Sequence, residues 1–140
     1  MKFVLDTNTV SALMRGDESV VERIARVRPD EVAVPQPVIA EIAYGVERLP
    51  SSKRREWLEA RFARVADELP RVNWSDMVSH AYGRIKAALE RKGSRIEDFD
   101  AAIAAHALAH GARLVTANVK HMARIEGLNI EDWSQPERPA

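Results

Sequence analysis

The stretch that decides the fold is Met1-Lys2-Phe3-Val4-Leu5-Asp6-Thr7-Asn8, a short apolar run that stops at an aspartate. Its three apolar residues at 3–5 follow one another without alternation, which is typical of a parallel strand buried on both faces by helices. Asp6 then lies at the carboxyl end of this strand. Open α/β sheets bind their ligands at that edge, so Asp6 is the first candidate for a functional site.

Length and composition describe one ordinary globular domain. The chain has 140 residues, of which 46% are hydrophobic and 30% charged, so it can bury a core of its own. We expect a domain over residues 1–133 and a disordered tail over residues 134–140. The 21 basic and 21 acidic residues cancel, which argues against a protein that coats nucleic acid.

The cellular compartment is predicted from what the sequence lacks. It has no cysteine, which excludes disulfides and thiolate metal sites and fits a reducing compartment. Only three apolar residues stand between Lys2 and Asp6, too few for the core of a signal peptide, and no stretch has the length of a membrane span. The sequence therefore predicts a cytoplasmic protein with no membrane partner.

Strand-like and helical segments alternate along the chain. Strands are predicted at 32–34, 69–73, 113–116 and 128–130, with helical spacing of apolar residues in most of the segments between them. Capping residues predict where two helices start: Thr7 or Asn8 for the first, and Ser94 or Asp98 for the one before the 113–116 strand. The alternation predicts an α/β domain with a mostly parallel sheet flanked by helices.

Polar residues from four separate segments are expected to meet at one edge of this sheet. Asp6 follows the first strand, and Glu41 lies in the helix after the second. Asp100 begins the helix before the 113–116 strand, and Asn118 follows that strand. Three carboxylates in one place would raise one another's pKa values unless a cation lay among them. Oxygen ligands without cysteine favour Mg²⁺ or Mn²⁺ over Zn²⁺.

The simplest alternative makes these acids ordinary surface partners of nearby bases. On a helix such a base would lie three or four positions away, and neither Glu41 nor Asp100 has one there. A base distant in sequence remains open, and so does a purely electrostatic role for Asp100 in the first turn of its helix. Asp98 is either a helix cap or a further acid near the ion.

A second metal hypothesis places zinc on His106 and His110, which are four positions apart on a predicted helix. The sequence offers no evident third ligand for such a site. His110 also precedes Gly111, where a positive charge would favour the end of a helix.

Four segments carry a family resemblance, and they are listed here in chain order: Val4-Leu5-Asp6-Thr7-Asn8, Val38-Ile39-Ala40-Glu41-Ile42-Ala43-Tyr44-Gly45, Asp100-Ala101-Ala102-Ile103-Ala104-Ala105-His106-Ala107 and Leu114-Val115-Thr116-Ala117-Asn118. Through them the chain resembles the PIN-domain ribonucleases and, within that group, the VapC toxins of toxin–antitoxin pairs. Each motif alone is weak, whereas the ordered set is specific and covers nearly the whole chain.

The resemblance implies a Rossmann-like three-layer fold and a role for each matching residue. It assigns Asp6, Glu41 and Asp100 to the metal-binding acids, and Thr7 and Thr116 to hydroxyl groups that support them.

Three positions depart from the family pattern. Many PIN domains carry a fourth acid where this chain has Asn118, and an acid and a phenylalanine where it has His121 and Met122. An amide can ligate an ion or hold a water, but it adds no negative charge, so the chain offers less to a second ion.

The resulting hypothesis is a magnesium-dependent endoribonuclease, with Mn²⁺ as a possible substitute, that hydrolyses RNA phosphodiesters through a metal-activated water. Asp6 and Asp100 would hold the ion, while Glu41 would position or deprotonate the water. The resemblance implies an RNA substrate, a small antitoxin protein and a homodimer. The alternative from another class is a catalytically weak PIN-like binding module that acts through a partner protein.

Overall fold

Seven α-helices and five strands form within residues 1–136, the part of the chain that this computed structural model describes. In chain order the elements are β1 (Phe3–Leu5), α1 (Thr7–Met14), α2 (Glu18–Arg26), β2 (Val32–Pro35), α3 (Gln36–Glu47), α4 (Lys53–Glu68), β3 (Arg71–Val72), α5 (Asp76–Arg91), α6 (Asp98–Ala109), β4 (Arg113–Val115), α7 (Val119–Met122) and β5 (Ile130–Glu131). A 3₁₀ turn at Pro29–Glu31 precedes β2. None of the helices in this range has the length and apolar character needed to cross a membrane.

All five strands are parallel and lie in one sheet, in the order β3-β2-β1-β4-β5. The central strand is therefore β1, in which Val4 pairs with Ala33 of β2 and Leu114 of β4. Val4 and Leu5 are fully buried, as their unbroken apolar run predicts. The predicted α/β fold with a parallel sheet flanked by helices is confirmed.

The start of α1 differs from the prediction, because Asp6 rather than Thr7 or Asn8 is the cap. The Asp6 carboxylate accepts a hydrogen bond from the Thr9 N–H, while Thr7 and Asn8 already belong to the helix. The physical reason is that no linker separates strand from helix, so the residue that ends β1 also takes the capping position.

The start of α6 also differs, because neither Ser94 nor Asp98 caps this helix. Asp98 is its first residue, and Glu97 occupies the cap position without a side-chain hydrogen bond. The Asp98 carboxylate instead pairs with Lys86 of α5, with 2.5 Å between Nζ and Oδ1. A partner on another helix thus outweighs the local capping signal.

The two outer strands are shorter than predicted or displaced along the chain. Strand β3 is only Arg71–Val72, inside the predicted 69–73, and β5 is Ile130–Glu131 rather than 128–130. Beyond β5, residues 134–136 form neither helix nor strand, and residues 137–140 of the predicted tail lie outside the described residues.

Helix α6 is buried along most of its length, which explains its many alanines. Ala101, Ala104, Ala105 and Ala107 have no exposed surface. Their small side chains let α6 pack closely against α5 and against strands β1 and β4. Asp100 lies in the first turn of this helix, so its backbone is held rigidly beside the end of β1.

Candidate active site

Asp6 is fixed at the carboxyl end of the central strand by hydrogen bonds on both sides. Its backbone N–H donates to the carbonyl oxygen of Val115 in β4 at 3.1 Å. Its Oδ1 accepts from the Thr9 N–H at 2.8 Å, and the Thr9 hydroxyl donates to the same Val115 oxygen at 3.1 Å. Asp6 as a residue is only 6% exposed, so its carboxylate is buried and has a fixed orientation.

Glu41 reaches the same region from the side of α3. The Thr7 hydroxyl donates a 2.6 Å hydrogen bond to Glu41 Oε1 and so joins the first turn of α1 to α3. Glu41 is half-buried. Thr7 thus orients the Glu41 carboxylate toward the end of β1.

Asp100 has an abnormal pKa, and the cause is its surroundings. Burial raises the pKa of its carboxyl above the ordinary value, the charge of His121 lowers it, and the charges of Glu41 and Asp6 raise it again. His121 Nε2 lies 3.6 Å from Asp100 Oδ2. The sequence left open a basic partner of Asp100 from a distant part of the chain, and His121 is that partner.

The four predicted catalytic residues line one cleft of about 110 Å³, which we call the acidic cleft. Its full lining is Asp6, Thr7, Asn8, Glu41, Asp100, Ile103, Asn118 and Met122. Thr116 is not part of this wall, because it is fully buried, and its hydroxyl accepts a 3.0 Å hydrogen bond from the Asn118 N–H. Thr116 therefore holds the backbone of Asn118 at the cleft.

The donor set of the acidic cleft fits a hard divalent ion in its chemistry. All its charged donors are carboxylate oxygens. Burial is the main reason that the pKa of Asp100 is raised, and the negative charges of Glu41 and Asp6 add to it, so a cation among these acids would be stabilising. Within residues 1–136 no three histidine, aspartate or glutamate side chains have the geometry of a complete metal site. Mg²⁺ does not need one, because it keeps several waters and binds through one or two carboxylates.

An open hollow of about 530 Å³ adjoins the acidic cleft, and we call it the outer hollow. It is lined by Glu41, Glu97, Asp98, Phe99 and Asp100, so it shares two carboxylates with the cleft. The structure thus places Asp98, the predicted supporting acid, in the outer hollow and in an ion pair with Lys86, and not in the cleft itself.

Arg124 holds His121 in place, although no sequence motif singles it out. Its Nε donates to the His121 carbonyl oxygen at 2.9 Å, and its Nη2 lies 3.0 Å from His121 Nδ1. Its Nη1 donates to the Ser94 hydroxyl and, at 3.1 Å, to the Arg95 carbonyl oxygen. These contacts join segments distant in sequence, so no local pattern could have predicted them.

The two histidines of the zinc hypothesis have separate structural settings. His106 is fully buried, its Nδ1 lies 2.6 Å from the Ala102 carbonyl oxygen, and burial lowers its pKa. His110 is exposed at the C-terminal cap of α6, the position that its neighbour Gly111 had indicated.

We expect Asp100→Asn to raise the free energy of unfolding at neutral pH in a chelator. Because the pKa of Asp100 is raised in the fold, its contribution to stability is greatest below the ordinary carboxyl range and is lost as the pH rises. Asparagine stays neutral, so the gain of the variant over wild type should shrink as the pH falls from about 7 to about 4. Urea unfolding followed by circular dichroism measures this gain.

Asp98→Asn is the matched control with the opposite sign. The hydrogen bond from Lys86 lowers the pKa of Asp98, so its contribution is present at neutral pH and is lost on acidification. This variant should be less stable than wild type near pH 7. A pH-independent gain for Asp100→Asn would contradict the electrostatic origin of the effect.

Comparison with known proteins identifies the family. The PIN-domain model matches residues 3–128. Ribonuclease VapC2 of Rickettsia felis is 32% identical over 137 residues, which cover 96% of this chain and 100% of that protein. The tRNA(fMet)-specific endonuclease VapC of Salmonella typhimurium is 28% identical over 133 residues, which cover 95% of this chain and 98% of that protein.

A solved structure shares the whole architecture. The complex of VapBC2 from Rickettsia felis with a DNA fragment from their promoter contains a chain that superposes with a TM-score of 0.85 at 30% identity. The match covers 95% of this chain and 99% of that one. The chain therefore belongs to the PIN-domain family and, within it, to the VapC ribonucleases of toxin–antitoxin pairs.

Proposed function

We propose that this chain is a magnesium-dependent endoribonuclease and the toxin of a toxin–antitoxin pair. The observation that carries the proposal is that Asp6, Glu41 and Asp100 reach one small cleft from three separate elements. Three acids so placed repel one another and attract a hard cation. Nucleases of the PIN family use divalent metal ions, and oxygen-only donors favour Mg²⁺, with Mn²⁺ as a substitute.

Each acid of the cleft has a distinct task in this proposal. Asp6 and Asp100 would hold the ion, because the cap fixes the first and a buried helix carries the second. Glu41, oriented by the 2.6 Å hydrogen bond from Thr7, would orient the attacking water or accept its proton. The bound ion would supply a water of lowered pKa and shield the charge that develops on the phosphate.

Asn118 supplies a neutral side chain at the fourth corner of the cleft. Its amide can hold a water or a phosphate oxygen without adding charge. The hydrogen bond from its N–H to Thr116 fixes its backbone for that task.

The relatives support the choice of substrate and partners. One relative is named a tRNA(fMet)-specific endonuclease, and one solved neighbour is a VapBC2 complex. By analogy we assign to this chain a cytoplasmic RNA as substrate, a small antitoxin that covers the acidic cleft, and a second copy with which it forms a homodimer.

The experiment that tests the function measures metal uptake and RNA cleavage on the same purified protein. Protein stripped with EDTA should take up Mg²⁺ in a calorimetric titration. Cleavage of total RNA should fall by more than about 100-fold in EDTA and return with Mg²⁺, because metal catalysis contributes several kcal/mol.

If the protein neither takes up Mg²⁺ nor cleaves RNA, the result favours the alternative, a PIN-like binding module that acts through a partner protein. Two observations give that alternative its weight: Asn118 stands where many PIN domains carry an acid, and the formal net charge of the chain is zero. Metal uptake without cleavage of any RNA would contradict the assigned nuclease activity.

A further inference from the structure

Phe99 is an exposed aromatic ring at the rim of the acidic cleft. It is 48% exposed and directly precedes Asp100 in the first turn of α6. It lines the outer hollow, in which every other wall residue is a carboxylate. Among the aromatic pairs and cation–π contacts formed within residues 1–136, none includes Phe99.

The position of Phe99 is not explained by the packing of its helix. Residues 101–107 of α6 supply the buried face, whereas Phe99 leaves half of its surface to water and so contributes little to the core. Single exposed apolar residues are common on protein surfaces. What sets this one apart is that it interrupts a wall of acids beside the candidate catalytic residues.

We propose that Phe99 stacks against an unpaired RNA base, at one of the two nucleotides that flank the cleaved bond. This inference rests on the proposed nuclease function. The outer hollow shares Glu41 and Asp100 with the acidic cleft, so a base seated there belongs to a nucleotide next to the reacting phosphate. Only a base outside a duplex has a free face, and proteins recognise such bases by stacking them on aromatic side chains.

Stacking also gives a way to bind RNA at a site whose walls are negatively charged. RNA is a polyanion, the cleft and the outer hollow are lined by carboxylates, and the chain as a whole has a formal net charge of +0. The side chains of this wall therefore offer no charge that attracts the substrate. A base stacked on Phe99 gains affinity that does not depend on charge.

The remaining wall residues indicate which bases fit. The Asp98 carboxylate is paired with Lys86, whereas the Glu97 carboxylate makes no hydrogen bond or ion pair among the described residues. An ionised carboxylate only accepts hydrogen bonds, so Glu97 favours a base edge that donates. Guanine offers two neighbouring donors to one carboxylate, while the O4 of uracil would meet it with repulsion. The outer hollow is thus suited to an amino-bearing base, guanine above all.

The test uses hairpin RNAs in which one loop nucleotide beside the mapped cleavage site is intact or abasic. For one of the two flanking positions, wild type should lose about 5- to 100-fold in kcat/KM on the abasic RNA, mainly through KM. Phe99→Ala should show the same loss on intact RNA and no further loss on the abasic one. Phe99→Tyr should restore cleavage of intact RNA. Trp57→Ala, which removes a ring of 44% exposure outside the outer hollow, should behave as wild type.

The outcomes separate the inference from the function on which it rests. Wild-type protein that does not cleave RNA in a chelator-sensitive way overturns both. Wild-type cleavage with an unaffected Phe99→Ala overturns the stacking alone. An equal loss by Phe99→Ala on intact and abasic RNA also overturns it. Sedimentation velocity would then show whether Phe99 contacts a second copy of the chain instead.

The base preference has its own readout. At the sensitive position, guanine should be cleaved with a higher kcat/KM than uracil, and Glu97→Gln should reduce that ratio. Equal cleavage of the two RNAs by wild type would overturn the role assigned to Glu97.

Discussion

Asp6→Asn is expected to lower the rate of RNA cleavage by more than about 100-fold at saturating Mg²⁺ while leaving the fold intact. The loss follows from charge, because asparagine keeps the shape of the side chain but removes one of the three carboxylates of the cleft. The fold survives because asparagine caps a helix as well as aspartate does. The asparagine side-chain oxygen can accept the hydrogen bond from the Thr9 N–H that Asp6 Oδ1 accepts at 2.8 Å in the wild type.

Asp17→Asn is the matched control for this variant. Asp17 caps α2 in the same way, accepting a 3.3 Å hydrogen bond from the Val20 N–H, but it does not line the acidic cleft. We expect it to cleave RNA at the wild-type rate and to unfold at the wild-type urea midpoint. Equal losses in both variants would assign the effect to helix capping. Undiminished cleavage by Asp6→Asn would remove Asp6 from the catalytic set.

The fold was predictable where the hydrophobic pattern is strong and unambiguous. The unbroken run that ends at Leu5 specified a central strand, and the structure pairs it on both sides. The outer strands β3 and β5 pair over only two residues each, too few to leave a period in the sequence. The start of α6 was not predictable either, because a tertiary ion pair between Lys86 and Asp98 competes with capping.

The sequence predicted which residues line the candidate site, but it did not predict the contacts that these residues make with one another. Topology alone brings the ends of parallel strands to one edge, and the acidic cleft is lined by all four residues expected there. The hydrogen bond between Thr7 and Glu41 joins residues 34 apart, and the approach of His121 to Asp100 depends on where α7 packs. Such pairings are set by tertiary packing, so no regular spacing of residues in the sequence predicts them.

The raised pKa of Asp100 and its proposed role in binding the metal ion have a cause in common. Burial raises the pKa of the Asp100 carboxyl, and the charges of Glu41 and Asp6 raise it further, so the ionised form of Asp100 costs stability while no cation is bound. In the proposed function, the repulsion among these carboxylates would favour the binding of a divalent ion. Asp100→Asn should therefore be more stable than wild type in a chelator and inactive with Mg²⁺, an exchange of stability for function that is common at active sites.

Trp133→Ala is expected to lower the free energy of unfolding by about 3–5 kcal/mol, the usual cost of removing a buried large aromatic. Trp133 is 2% exposed, and its ring meets the edge of Phe3 in β1 with 5.1 Å between centroids. Its Nε1 donates to Glu131 at 3.1 Å, and its carbonyl oxygen accepts from the Ser19 hydroxyl at 2.8 Å. The substitution would leave a large cavity and remove the donor that Nε1 offers to Glu131.

The position of Trp133 makes this variant a test of where the domain ends. Phe3 belongs to the strand that leads to Asp6, so the cavity would lie beside the strand that positions this candidate catalytic acid. Urea unfolding followed by far-ultraviolet circular dichroism gives the loss without relying on tryptophan fluorescence. Trp133→Phe should recover much of the lost free energy of unfolding. Trp57→Ala, at an exposed residue, should lower the free energy of unfolding by less than about 1 kcal/mol. A comparably small cost for Trp133→Ala would mean that the chain after β5 is not part of the core, and the domain predicted over residues 1–133 would end earlier.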